Sequence, residues 1–337
     1  MRVAVLGLGF MGSTHLKALR SVRGAELAAV YSGDERKLAG DLSGVHGNLG
    51  GAGERIDFEG VARYRDLDQL LADPQIDAVD VCLPTDLHAP AAIAALRAGK
   101  HVLVEKPMAL DGESAGAMIA EAAKAGKILM AAQVLRFMPM YAALKDALGS
   151  LGAVRWASFR RLCATPGWSA WLADAARSGG GVFDLLIHDA DMALHLFGAP
   201  EAVSATGYEA PGEGIDAMAG MLYYAGGFCV SISGGWHHPG AYPFSMEYSV
   251  MGDQGVVEYR SAAAGGPVFY RAGGTAEPLP QLEKDGYAAE IEYFVECCRT
   301  GRQPVVCPPE ESALAVVLMR LLLEARARNG EKIGCKL

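Results

Sequence analysis

The sequence predicts an α/β fold: an N-terminal doubly wound parallel sheet, followed by an α+β domain built on a large, mostly antiparallel sheet. Three observations carry that expectation. From Arg2 to about Met130, short β-branched runs alternate with Ala/Leu-rich stretches, the pattern of βαβ units. Beyond Arg136, strand-like runs follow one another across tight turns such as Ala225-Gly226-Gly227 and Gly252-Asp253-Gln254-Gly255. The chain also has 337 residues, 51% of them hydrophobic, enough for two cores and too long for the commonest single domain. The expected domains are residues 1–131 and 132–337.

In the first domain, strands are expected at residues 3–6, 26–31, 78–83, 101–104 and 128–131, with helices at 13–19, 89–98 and 114–125. Gly99 and Gly126, each followed by lysine and a new strand, read as helix C-caps. The stretch 43–60, rich in glycine and poor in apolar periodicity, reads as a long surface loop. In the second domain, strands are expected at 154–161, 202–208, 218–224, 228–233, 246–251 and 256–260. Helices are expected there at 138–148, 184–196, 288–299 and 310–329.

Composition narrows the function. No run approaches the roughly 20 apolar residues that a membrane helix needs, and Met1-Arg2 leads directly into a β-like run rather than a signal peptide. A cytoplasmic protein that starts at residue 1 is the expectation. Seven cysteines without CxxC spacing fit a reducing compartment and argue against a zinc ribbon; Cys297-Cys298 reads as a buried helix pair. A net charge of −9 offers no footprint for nucleic acid. The expected partners are a small molecule and further copies of the same chain.

Gly7-Leu8-Gly9-Phe10-Met11-Gly12 follows the first strand and opens the first helix. Such a turn lets the backbone approach a pyrophosphate while free N–H groups and the helix dipole face the anion, so a nicotinamide dinucleotide is expected in a Rossmann-type domain. An acidic residue at the end of the second strand would bind the ribose of NAD and repel a 2′-phosphate, but Ser32 stands there, with Arg36 and Lys37 nearby. That leans slightly to NADP, offset by Asp34 and Glu35. Leu83, Pro84, Thr85 and His88 end another strand, and their turn should line the cofactor crevice. The run 101–104 is closed by Glu105-Lys106-Pro107, two opposite charges and a ring that bars further pairing. Ligands of open α/β sheets bind outside the carboxyl ends of the strands, so Lys106 is aimed at a ligand. The expected cofactor-binding set is Gly7, Gly9, Phe10, Met11, Gly12, Ser32, Leu83, Pro84, Thr85, His88, Glu105 and Lys106.

In the second domain, Gly179-Gly180-Gly181 precedes Asp184, His188 and Asp191, which fall on one helix face at i, i+4 and i+7. Polar residues on a Leu/Ile-rich helix are costly to bury unless they meet a ligand or each other. Carboxylates and imidazole can also share zinc or iron, but Lys106 would place a competing cation beside them, so no metal is expected. Trp168, Trp171, Trp236, His237 and His238 are candidates for a sugar-like pocket.

Together, Gly7-x-Gly9-x-x-Gly12, Pro84-Thr85-x-x-His88, Glu105-Lys106-Pro107 after Gly99-Lys100-His101-Val102, Arg136-Phe137-x-Pro139 and Gly180-Gly181-x-x-Asp184-x-x-x-His188 resemble the Gfo/Idh/MocA family of NAD(P)-dependent oxidoreductases. The resemblance covers nearly the whole chain. It implies a Rossmann domain joined to a sheet domain that is often used for oligomer contacts, here a homodimer or homotetramer. It also implies dehydrogenase or reductase chemistry on sugars, inositols and related polyols. Lys106, Asp184 and His188 match the family's catalytic lysine, aspartate and histidine. Ser32 departs from NAD-preferring members, and 43–60 is longer than the usual connection.

On this reading His188 takes the hydroxyl proton as hydride leaves the carbon, Lys106 stabilises alkoxide character, and Asp184 orients the substrate or the imidazole. One rival reading keeps the cofactor but recycles it, oxidising a sugar so that a glycosidic bond can be eliminated. Another is a nucleotide-sensing protein without turnover.

Overall fold

A computed structural model describes residues 1–47, 53–167, 169–210 and 215–336. They form two compact units, Met1–Val134 with Lys284–Ala313, and Leu135–Glu283 with Leu314–Leu337.

In the first unit the chain runs through β1 (Arg2–Leu6), α1 (Phe10–Leu19), β2 (Glu26–Tyr31), α2 (Glu35–Leu38), β3 (Ala62–Tyr64) and α3 (Leu67–Ala72). It continues through β4 (Ala78–Val81), α4 (His88–Arg97), β5 (His101–Glu105), α5 (Gly112–Ala125) and β6 (Leu129–Ala132). The six strands are all parallel, in the order β3-β2-β1-β4-β5-β6. Helices on both faces require apolar side chains on both, and every residue of β4 and β6 is accordingly buried. Asp34, Asp66 and Asp111 cap α2, α3 and α5 by accepting backbone N–H bonds. Gly126 ends α5 in the left-handed region, as expected. The order of strands reverses between β1 and β4, which places a ligand crevice at their carboxyl ends.

The second unit contains α6 (Pro139–Ala147), β7 (Val154–Ala164), α7 (Ala170–Ala173), α8 (Ala175–Ser178) and α9 (Gly181–Phe197). The meander follows: β8 (Ala202–Ala210), β9 (Ile215–Tyr223), β10 (Cys229–His238), β11 (Ser245–Gly252), β12 (Gly255–Arg260), β13 (Val268–Arg271) and β14 (Ala276–Pro278). After α10 (Gly286–Thr300) and α11 (Pro309–Ala327), β15 (Ile333–Gly334) completes a nine-stranded sheet ordered β14-β13-β12-β11-β7-β10-β9-β8-β15. Only β7 and β10 pair in parallel among the described residues. Helix α9 lies on one face of this sheet, packed against β7, β9 and β10.

Three expectations need correction. The chain does not divide once at 131/132, because 284–313 returns to the first unit, where α10 packs on α1. The stretch 43–60 is not a plain surface loop: Ile56 and Phe58 are buried, and Arg55 forms a β-bridge with Asp41. Positions 48–52 of that stretch lie outside the described residues. The short strands β3, β13, β14 and β15 and the helices α2 and α3 went unread, being too brief to show a period.

Candidate active site

In the first unit, the glycine turn is built as its sequence requires. Gly7 has φ +96° and donates its N–H to the Tyr31 carbonyl at 2.9 Å, and a Cβ there would lie 2.5 Å from the Cys82 carbonyl oxygen. A Cβ on Gly12 would come within 1.9 Å of the Gly7 carbonyl oxygen, so the turn closes only with glycine at both ends. Gly9 differs: it is the N-cap of α1 without a side-chain cap, and a Cβ there would meet nothing within 4 Å. Ser13 and Thr14 turn their hydroxyls back to the Phe10 carbonyl. An open cradle at a helix N-terminus, beside the sheet's reversal point, fits a dinucleotide pyrophosphate. Phe10 and Met11, half-buried, lie in the first turn of α1.

Ser32 is buried at the end of β2, and its hydroxyl accepts the Asp34 N–H at 3.1 Å. Arg36 pairs with Asp41 at 3.0 Å, and Asp41, bonded by Ser43 and Arg36, is held down at about 2. Leu83 and Pro84 are half-buried in the turn after β4, while Thr85 is buried. His88, expected to line the cofactor crevice, has both ring nitrogens against backbone carbonyls. It is buried, with Nδ1 2.8 Å from the Pro107 carbonyl oxygen and Nε2 2.8 Å from that of Leu83, so its ring is committed to the backbone. Burial lowers its pKa against the pull of those carbonyls.

Lys106 follows β5 and is half-buried. The side chain of Glu105, also expected on the cofactor side, is buried in the core. There Oε2 accepts the Lys106 N–H at 2.9 Å, and Oε1 lies 3.0 Å from His15 Nε2. His15 Nδ1 shares a 2.8 Å hydrogen bond with Asp80. His15, Asp80 and Cys82 bring three donor atoms together. His15 and Asp80 are also hydrogen-bonded directly, and burial pushes the Cys82 thiol up.

In the second unit, Gly180 and Gly181 lead into α9. A Cβ on Gly181 would lie 2.7 Å from the Trp236 ring, and the Val182 N–H donates to Asp216 at 2.8 Å, which caps the helix start. Thirteen of the 17 residues of α9 are buried; Asp184 and His188 are the first two that are not. The i, i+4 pair therefore shares one partly open face. Asp191 does not join them. It is buried and receives both Nε and Nη2 of Arg136, at 2.9 and 2.6 Å, so the Asp184/His188/Asp191 metal option loses a ligand. Arg161 of β7 binds Asp189 in the same bidentate way, at 3.0 and 2.8 Å, and reaches the Tyr141 hydroxyl at 3.2 Å. These two pairs, unread in the sequence, fix the rotation of α9.

Of the pocket candidates, Trp236 is core, packed with Cys163 and Leu185. Trp171 is half-buried in α7, and the ring centroids of His237 and His238 lie 4.1 Å apart near the end of β10, tilted by 56°, with the Tyr242 ring 3.9 Å from His238. Trp168 lies outside the described residues.

The profile described as "Oxidoreductase family, NAD-binding Rossmann fold" matches residues 1–133, and the "GFO/IDH/MocA C-terminal domain" matches 141–258. The chain belongs to the Gfo/Idh/MocA oxidoreductase family. It is 29% identical over 326 residues to the scyllo-inositol 2-dehydrogenase (NAD(+)) of Bacillus subtilis, covering 91% of this chain and 88% of that one. It is also 29% identical over 240 residues to a scyllo-inositol 2-dehydrogenase (NADP(+)) of the same organism, covering 68% and 67%. The solved aldose-aldose oxidoreductase of Caulobacter crescentus shares the fold, with a TM-score of 0.83 over 99% of each chain at 24% identity. Like other Gfo/Idh/MocA proteins, this chain is an oxidoreductase with an NAD-binding Rossmann domain. No helix among its described residues is long and apolar enough to cross a membrane.

Proposed function

We propose that this oxidoreductase transfers a hydride reversibly between nicotinamide and a secondary alcohol of a sugar, inositol or related polyol. The single observation that carries the reading is the face of α9, where Asp184 and His188 are partly open on an otherwise buried helix. The i, i+4 spacing sets a carboxylate and an imidazole side by side on one helix face, the pairing that proton transfer to or from a hydroxyl uses. The relatives' names support the polyol class.

When bound, the cofactor supplies the hydride acceptor or donor; Gly7, Gly9 and Gly12 would hold its pyrophosphate. His188 removes the hydroxyl proton, an imidazole being the side chain type suited to that task near neutral pH. Lys106 stabilises the developing alkoxide with a fixed positive charge, and Asp184 orients the substrate. Ser32 supplies no carboxylate to repel a 2′-phosphate, which supports use of both cofactors with a slight preference for NADP.

The test is a turnover screen of inositols, aldoses and sugar acids with NAD and NADP, run on the native protein, Lys106→Met and His188→Ala. We expect reduced cofactor to accumulate with at least one polyol, and each variant to lose about 10²- to 10⁴-fold in rate while still binding NADH. Undiminished rates in both variants would refute the assignment. Product formation without net reduced cofactor would point instead to the recycling reaction.

We also propose that the sheet joins copies of the chain. Tyr223, Cys229, Trp156, Met251, Val256 and Tyr270 are paired in succession across β9, β10, β7, β11, β12 and β13, and none is buried. Such an uncovered apolar row on a sheet face fits a second copy. Light scattering should give the mass of a dimer or tetramer, and a monomeric mass at micromolar concentration would refute this.

A further inference from the structure

We propose that His15 and Glu105 are positioning residues for Lys106, linking the helix that opens the cofactor loop to the strand end that carries the lysine. The inference rests on the catalytic reading of Lys106. His15 lies on α1, three residues beyond Gly12, and is fully buried. Its Nδ1 is hydrogen-bonded to Asp80 Oδ2 of β4 at 2.8 Å, and its Nε2 stands 3.0 Å from Glu105 Oε1 of β5. The second oxygen of Glu105 accepts the Lys106 N–H at 2.9 Å. On the far side of Lys106, the Pro107 carbonyl is held by His88 Nδ1 at 2.8 Å. The lysine is thus bracketed along the backbone, by Glu105 before it and His88 after it.

Both ring nitrogens of His15 lie near carboxylate oxygens, Nδ1 in a hydrogen bond to Asp80 and Nε2 in an ion-pair contact with Glu105, surroundings that favour the charged ring. Every element packed on the ring supplies a group. Asp80 comes from β4 and Cys82 from the position just after it, Glu105 from β5, and Tyr287 and Glu290 from α10, with Asp285 just before that helix. Burial works against the ring's charge, but Asp80 and Cys82 outweigh it and raise the His15 pKa well above its ordinary value. Three buried carboxyl groups around one imidazole are a poor way to gain stability, since apolar residues of similar volume do as well or better. They are a good way to fix a geometry. The ion-pair contact with His15 holds the Glu105 carboxylate in the core, and the Lys106 N–H is tied to the other oxygen of that carboxylate.

The test combines kinetics and nitrogen NMR. In His15→Gln and Glu105→Gln, with circular dichroism confirming the fold, kcat for the fastest polyol of the screen should fall about 10²-fold, because misplacement of about 1 Å costs that much. KM and the NADH Kd should stay within about threefold, the signature of a lost transition-state contact rather than lost binding. Activity within about twofold of native in both variants would overturn the proposal. In native protein labelled with ¹⁵N-histidine, both His15 nitrogens should remain protonated at about two pH units above the ordinary histidine pKa of ~6.5. A neutral ring there would overturn the proposal whether or not the variants fold. Native turnover by Lys106→Met would refute the catalytic reading of Lys106 alone, and the state of the His15 ring would then decide whether the clamp exists.

Discussion

In the first unit a single imidazole sits among three buried carboxyl groups, whereas in the second unit each buried carboxylate of α9 has a guanidinium of its own. The difference separates two ways of holding a functional side chain. A guanidinium keeps its proton at any accessible pH, and its fork meets both carboxylate oxygens, so Arg136–Asp191 and Arg161–Asp189 lock the register of α9 permanently. For Arg161, burial opposes the charge, but Asp189 and Tyr141 outweigh it and raise its pKa. In the first unit the charges do not balance one to one. Burial pushes the Glu290 pKa well above its ordinary value and favours its neutral form, while Asp80 and Cys82 favour the charged form of His15. That assembly is titratable.

The sharpest way to break the contrast is to remove one arginine. Arg161→Met should destabilise the protein by about 3–5 kcal/mol, because Asp189 is left buried without its guanidinium partner. The double variant Arg161→Met/Asp189→Leu should recover most of that loss. Urea unfolding of the three proteins measures it. A single variant costing less than about 1 kcal/mol would mean that water or another group reaches Asp189, and the two units would then be held alike.

The elements that carry the proposed chemistry were legible because each depends on local sequence. Gly7, Gly9 and Gly12 sit in a strand-turn-helix run, the strand before Lys106 is a short apolar stretch with an abrupt polar end, and Asp184 and His188 are one helical turn apart. The supports were not legible, because each is made by residues far apart in the chain. His15, Asp80, Glu105 and Glu290 come from four elements, and nothing in their spacing announces a meeting. The helical pattern placed Asp191 on the face of Asp184 and His188, but a period gives direction, not what packs there; Arg136 decided that. Trp236 was offered to a pocket on its aromatic character, yet the close approach of Gly181 makes it core. His88 illustrates the same limit, since its carbonyl partners belong to Leu83 and Pro107.

The smaller effect is one of pH. Glu290 has a folded pKa raised above its unfolded value by burial, and by Glu105, Asp80 and Asp285 against the attraction of His15. A group of this kind favours folding fully below its unfolded pKa of ~4.3 and loses that contribution as pH rises towards the folded value. His15, also raised, acts in the same direction from its unfolded pKa of ~6.5 upward. Glu290→Gln keeps the volume and the neutral state that Glu290 already holds, so at about pH 4 it should match the native protein to within about 1 kcal/mol. As pH rises, the unfolded native chain gains from ionising Glu290 and the variant does not. The stability difference in favour of Glu290→Gln should therefore grow by up to about 1.4 kcal/mol per pH unit until the folded pKa is reached. Denaturant titrations of both proteins across that range measure the slope. A difference that stays flat with pH would show Glu290 ionised in the folded state, and the first unit would then carry an unbalanced buried charge that the imidazole alone cannot offset.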